Sequence, residues 1–198
     1  MTDPRLVLIG GANGAGKSTL ANAYIPDLIA AGRFLNADEV AKQLAPEDQE
    51  AAAIAAGRSI VQSRRALLTV RQSFAIESTL ASRRLLQTIV QANDAGYMTQ
   101  LIFLFTVTPQ INEFRVKQRV VQGGHNIDTD TIRRRHVRGL RHLPLYVEAC
   151  REAIVFDVRH ARAREIFRKE NGCIDVALAE EMEVLRKAIE RAGGHPTF

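Results

Sequence analysis

Apolar residues along this chain fall into two kinds of segment, short unbroken runs and longer stretches in which they recur every three or four positions. Arg5–Ile9 (RLVLI) is of the first kind, and the glycines that stop it predict a buried parallel strand feeding a tight turn. A helix is expected from Lys17 to about Tyr24, ended or kinked by Pro26. Phe34-Leu35-Asn36 is a second strand candidate. Ala45-Pro46-Glu47-Asp48 has the proline and acids of a helix start, and the alanine-rich stretch after it predicts a helix to about Val70. Phe74-Ala75-Ile76 predicts a third strand ending at Glu77, and Ser82 is placed to cap a helix through Ala95, closed by Gly96. Met98–Thr106 (MTQLIFLFT) carries the clearest strand signal. Thr108-Pro109 opens another helix, broken at Gln122–Thr129, and a basic helix is expected over about Asp130–Arg141. Ala153–Asp157 reads as the last strand and Asp175–Ala192 as a C-terminal helix with Leu178, Met182, Leu185 and Ile189 on one face.

Strands alternating with helices predict an α/β fold, a parallel sheet flanked by helices on both faces, with a ligand crevice at the strand C-terminal ends. At 198 residues the expectation is one domain spanning 1–198, with a helical, arginine-bearing segment at about 109–150 acting as a lid. Hydrophobic residues at 46% and charged residues at 25% exclude disordered and fibrous classes. No apolar run approaches the roughly 18 residues of a spanning helix, and Met-Thr-Asp-Pro-Arg lacks the order of a signal peptide, so a cytoplasmic protein without membrane partners is expected. Cys150 and Cys173 have no neighbour at metal-ligand spacing and read as free thiols. The net charge of +5 is unevenly placed: Arg115–Arg168 holds 13 Lys/Arg against 6 Asp/Glu. That segment has few aromatic residues to stack on bases, which argues against a nucleic-acid groove.

The segment Gly11-Ala12-Asn13-Gly14-Ala15-Gly16-Lys17-Ser18 fits G-x-x-x-x-G-K-[ST] between a predicted strand and a predicted helix, the setting that a P-loop requires. Its glycines let successive N–H groups turn toward phosphate oxygens at a helix N-terminus. Lys17 then reaches the β- and γ-phosphates, and Ser18 offers a hydroxyl to magnesium, so ATP and Mg2+ are the expected cofactors. Asp38 and Glu77 each follow a predicted strand, which delivers both carboxylates to the edge where the phosphate loop lies. A carboxylate there can accept the proton of an attacking hydroxyl or hold the metal; Asp38 reads alternatively as a plain helix cap. Arg115 and Arg119, a Gly123-Gly124 hinge, and Arg134, Arg138 and Arg141 compose the lid, in which Arg119 and Arg134 are the candidates to touch phosphate and the rest form a solvated face. His125 reads either as a loop histidine or as a substrate contact.

Four blocks together, Gly11–Thr19, Asn36-Ala-Asp-Glu39, Phe74-Ala-Ile-Glu-Ser-Thr79, and Arg119-Val-Val-Gln-Gly-Gly-His125 followed by Ile132-Arg-Arg-Arg135, resemble the zeta toxin family over about residues 5–157. The resemblance implies a P-loop kinase fold with ATP as donor and an antitoxin protein as a candidate partner. The studied toxins phosphorylate a hydroxyl of UDP-N-acetylglucosamine, which makes a sugar nucleotide a candidate acceptor. By position it implies that residues through Thr19 bind nucleotide, Asp38 is the general base, Glu77 and Thr79 lie on the substrate side, and Arg119 is a lid arginine. Two departures stand out. His125 aligns with a second lid arginine, leaving Arg133–Arg135 as substitutes, and a glutamate of the toxins on the helix before the third strand is replaced by Arg58 and Gln62. The expected activity is a small-molecule kinase acting on an alcohol group; the rivals are a nucleotide-gated ATPase or switch and a polynucleotide or nucleoside kinase.

Overall fold

The computed structural model describes residues 3–45, 49–124, 126–160 and 162–198. Its elements, in chain order, are β1 (Arg5–Gly11), α1 (Lys17–Tyr24), α2 (Pro26–Ala30), β2 (Phe34–Leu35), α3 (Ala37–Leu44), α4 (Gln49–Thr69), β3 (Phe74–Ser78), α5 (Arg84–Asp94), β4 (Met98–Phe105), α6 (Pro109–Val121), α7 (Thr129–Ala149), β5 (Glu152–Asp157), β6 (Arg164–Glu170), β7 (Cys173–Val176) and α8 (Ala179–Arg191). The strands form one sheet in the order β2-β3-β1-β4-β5-β6-β7.

The first five strands run parallel, as the alternation of strands and helices predicts, with β1 between β3 and β4. Their unbroken apolar runs follow from burial on both faces. Along β1, Leu6 and Leu8 enter a core beneath α5, α7 and α8, while Val7 and Ile9 enter a second core with Ala21 of α1, Leu28 of α2 and Ile25 between those helices. A chain leaving the middle strand therefore emerges between two helical layers.

Four expectations need correction. The sheet is mixed: β6 and β7 add antiparallel to β5 and to each other, where no strand was expected beyond Asp157. The C-terminal helix consequently starts at Ala179, because Cys173–Val176 is committed to the ladder, and Met182, Leu185 and Ile189 form its buried face. The basic helix runs eight residues past Arg141, to Ala149, with Pro144 inside it. Proline forfeits one helix hydrogen bond there, but Leu143, Tyr146 and Val147 are buried and hold the turn against the sheet. Ser82, finally, caps nothing: Arg83 occupies the N-cap of α5 without a side-chain bond, and the Ser82 carbonyl instead accepts a hydrogen bond from Tyr146.

Candidate active site

At the end of β1 the chain turns through Gly11, Gly14 and Gly16, all at positive φ, and enters α1 at Lys17. Gly14 is needed twice over, since a Cβ there would also come within 2.7 Å of the Asn112 carbonyl on α6. Ala15 N–H closes the loop on the Ala12 carbonyl, and the Lys17 ammonium folds back to the same carbonyl at 3.0 Å. Lys17 is only 7% exposed. Burial pushes its pKa down, Glu77 and Asp38 pull it up, and the positive charge of Arg119 adds to the lowering, with the net below the usual lysine value.

Glu77, near the end of β3, is the hub of the site. Its Oε1 lies 3.5 Å from Lys17 Nζ, and its Oε2 accepts from Ser18 Oγ at 2.9 Å and from Asn36 Nδ2 at 3.1 Å. Asn36 was not singled out from the sequence as a site residue. It caps α3, its Oδ1 accepting from Asp38 and Glu39 N–H, while its amide holds Glu77. Asp38 is therefore not the cap of α3. It sits in the first turn, exposed, and lines a cavity of about 220 Å³ together with Lys17, Glu77, Thr79 and Arg135. The two carboxylates found by their place after strands thus share one cavity with the P-loop lysine.

Thr79, just beyond β3, is fixed from behind. Gly139 of α7 passes so close to its carbonyl that a Cβ would come within 2.6 Å. The next residue, Leu80, is fully buried at φ 54, a left-handed conformation rarely taken by leucine, with its N–H on Ser78 Oγ and its carbonyl 2.9 Å from His142 Nδ1.

The arginines separate by position. Arg135 lines the cavity of Lys17 and its Nη1 donates to Asn13 Oδ1 at 3.3 Å, so α7 touches the phosphate loop directly. Arg134 is turned to an adjoining cavity of about 490 Å³ and donates to Thr131 Oγ1. Arg133 is held away by Glu113 at 2.7 Å. Arg119 lies in the last turn of α6, where the Gly124 N–H returns to its carbonyl; a Cβ on Gly124 would come within 2.5 Å of its side chain. Thr19 is exposed one residue into α1 beyond Ser18. His125 lies outside the described residues.

The donor set suits magnesium. Ser18 Oγ and Glu77 Oε2 are two hard oxygen donors in contact, and Mg2+ commonly takes one or two protein oxygens with phosphate and water completing its shell. Among the described residues no cluster of three or more His, Cys, Asp or Glu could hold a metal by itself.

A sheet in which the middle one of five parallel strands enters a glycine loop and a lysine-bearing helix defines the P-loop kinase class of fold. The Zeta toxin family model matches residues 2–174, and the chain belongs to that family. An uncharacterised protein of Haemophilus influenzae is 31% identical over 126 residues, covering 64% of this chain and 88% of that protein. Among solved structures, AvrRxo1-ORF1 in its complex with AvrRxo1-ORF2 superposes with a TM-score of 0.77 at 16% identity over 99% of this chain. This chain spans only 65% of the length of that protein. The PezAT chromosomal toxin-antitoxin system of Streptococcus pneumoniae gives a TM-score of 0.63 at 16% identity, over 97% of this chain and 88% of that one. A putative kinase from Chloroflexus aurantiacus gives 0.51 at 20% identity, over 69% and 78%. These similarities bear out the α/β P-loop fold, and family membership supports a kinase-like phosphotransferase. Among the described residues no helix is long and apolar enough to cross a membrane.

Proposed function

We propose that this protein transfers the γ-phosphoryl group of magnesium-bound ATP to a hydroxyl of a small molecule. The observation that carries the reading is the convergence of Lys17, Glu77, Asp38 and Arg135 on one cavity beside the P-loop. The backbone of Gly11–Ser18 cradles the phosphates, and Lys17 leaves the Ala12 carbonyl to reach their oxygens. Ser18, with Glu77 beside it, would hold the magnesium, which would supply positive charge opposite the β- and γ-phosphates. The acceptor hydroxyl lies toward Asp38, which takes its proton as the new O–P bond forms; the bond from γ-phosphorus to the bridging oxygen breaks and ADP leaves with the electron pair. Arg119 and Arg135 neutralise the charge of the group in transit. Little of this is covalent work by the protein; positioning and charge dominate.

A sugar nucleotide is a candidate acceptor, in keeping with the family, and Glu77 serves the metal side of the site more directly than the substrate side because Ser18 and Lys17 are its partners. One structural neighbour is in complex with AvrRxo1-ORF2 and another belongs to the PezAT toxin-antitoxin system, and this chain is proposed to have a protein partner of that kind. The test is ATP consumption measured across sugar nucleotides, nucleosides and oligonucleotides, with Lys17→Ala as the control. Lysine-dependent phosphorylation of one acceptor class supports the reading; consumption by water alone, whatever is added, replaces it with an ATPase.

A further inference from the structure

Two further cavities neighbour that of Lys17 and Asp38 on the side of α4. The adjoining 490 Å³ cavity shares Asp38 and Arg135 with the first and reaches Ala53. A third, open cavity of about 580 Å³ shares Ala53 with the second and is lined by Ile54, Gly57, Val61 and the exposed Arg58, Arg65 and Arg84. It has three guanidinium groups, no acidic residue among those lining it, and none of the three is paired with another described residue. Arg58 and Arg65 are seven residues apart and so lie on one face of α4, while Arg84 faces them from the first turn of α5.

Gly57 makes the same point independently. It sits in the interior of a 21-residue helix, where glycine is the poorest ordinary residue. No close approach explains it, because a Cβ at this position would meet nothing within 4 Å. What glycine provides at Gly57 is open space in the floor of the cavity between the arginines.

We infer that the Arg58–Arg65–Arg84 trough is the distal half of the acceptor site and binds an anionic group, phosphate or carboxylate, at the far end of an elongated acceptor whose hydroxyl lies at Asp38. Helix rise puts Arg65 about 18 Å along α4 from Ala53, so a compact monosaccharide held at Asp38 would not reach it. Paired arginines read planar oxyanions in a way that a solvated face does not need. The inference rests on the kinase reading for the role of Asp38, but the trough can be tested without turnover.

Full-length protein, its P-loop filled with a non-hydrolysable ATP analogue and excess magnesium, is titrated calorimetrically with inorganic tripolyphosphate. One equivalent is expected to bind, at least tenfold more weakly after Arg58→Gln/Arg65→Gln/Arg84→Gln and after Gly57→Leu. Leucine is a better helix former than glycine, so the second variant fills the trough without weakening α4. Unchanged binding in both variants, or none in the wild type, overturns the anion site and leaves the kinase reading intact. In turnover, both variants should raise KM for a long anionic acceptor at least tenfold, with kcat and the KM for ATP nearly unchanged. An acceptor that proves neutral, or whose KM ignores both variants, overturns the link to the acceptor even where tripolyphosphate binds; absence of any phosphorylated acceptor counts against the kinase reading, while the titration still decides the trough.

Discussion

Lys17 has given up most of its contact with water and in exchange holds one carbonyl and one carboxylate. That exchange is incomplete for an ammonium, as its lowered pKa reflects. Phosphate oxygens would complete it. Lys17→Ala is therefore expected to abolish phosphoryl transfer while the circular dichroism spectrum and melting cooperativity stay native; full activity with unchanged ATP affinity would refute the role. Asp38 gives a finer test, because Asn36 already caps α3 and a role for Asp38 as the cap is excluded. Asp38→Asn should lower kcat by about tenfold to a hundredfold with ATP binding and melting temperature nearly unchanged. A variant that melts early but keeps its rate would make Asp38 structural after all. The P-loop, Asp38 and Glu77 could be found in the sequence because each is marked by its immediate neighbours: a glycine spacing, or a strand that ends. Asn36 carried a local signal too, an N-cap residue just before the acids of a first turn, but its bond to Glu77 spans 41 positions. Arg135 could not be separated from Arg133 and Arg134 without knowing how α7 is rotated against the P-loop.

At the scale of elements, legibility followed burial. β1, β3, β4 and β5 are buried on both faces and announce themselves as apolar runs. β6 buries little more than Ile166 and Phe167 and carries charges around them, and all four residues of β7 are exposed at the sheet edge, so neither has a pattern to read. The register of α7 was equally hidden, and Gly139 is where it matters. Gly139→Ala would drive a Cβ into the Thr79 carbonyl, a backbone atom that cannot swing aside. The expected cost is about 1–3 kcal/mol, in the range of overpacked cores, read from urea unfolding, together with reduced turnover as Thr79 is displaced. Stability and activity both equal to wild type would mean that α7 and the β3 loop are not in register as described. Helices α6 and α7 yield a contrast between two arginines. Arg119 lies close enough to Lys17 to lower its pKa, whereas Arg138 is exposed on α7 and lines neither the Lys17 cavity nor its neighbour. Arg119→Ala should cost roughly a hundredfold in kcat, comparable to the loss of an oxyanion donor, with a smaller effect on ATP binding. Arg138→Ala should cost little, and a reversal of that order would put the wrong helix face on the phosphate.

For the whole molecule, the strand order sets what the site can be: β1 lies between β3 and β4, so the P-loop, the carboxylate of β3 and the helices after β4 meet at one end of the sheet. α7 is bound into that arrangement through His136, 5% exposed, on a face that meets Ala12, Phe103 and Leu104 around a very small cavity. Burial pushes the His136 pKa from 6.5 down to about 4, so the imidazole is neutral in the folded protein at ordinary pH. Because the folded value lies below the unfolded one, the unfolded chain takes up its proton first as the solution is acidified. Stability from this residue is then complete above about pH 6.5, falls through the interval down to about 4, and stays flat below it. The full drop is on the order of 3 kcal/mol, a large share of the marginal stability of a typical domain. Asp157 acts in a lower window. Burial raises its pKa, but its hydrogen bonds and ion pair with Arg159 outweigh that and hold it below the usual carboxylate value, so its contribution is lost at more acidic pH. Urea unfolding at pH 7, 6 and 5 separates the two, since only the histidine should titrate strongly there. Wild-type protein is expected to lose stability steadily across that series, and His136→Leu, which cannot bind a proton, to lose markedly less. Parallel decline of both proteins would show that the imidazole is hydrated in the folded state and that α7 does not seal the back of the phosphate loop.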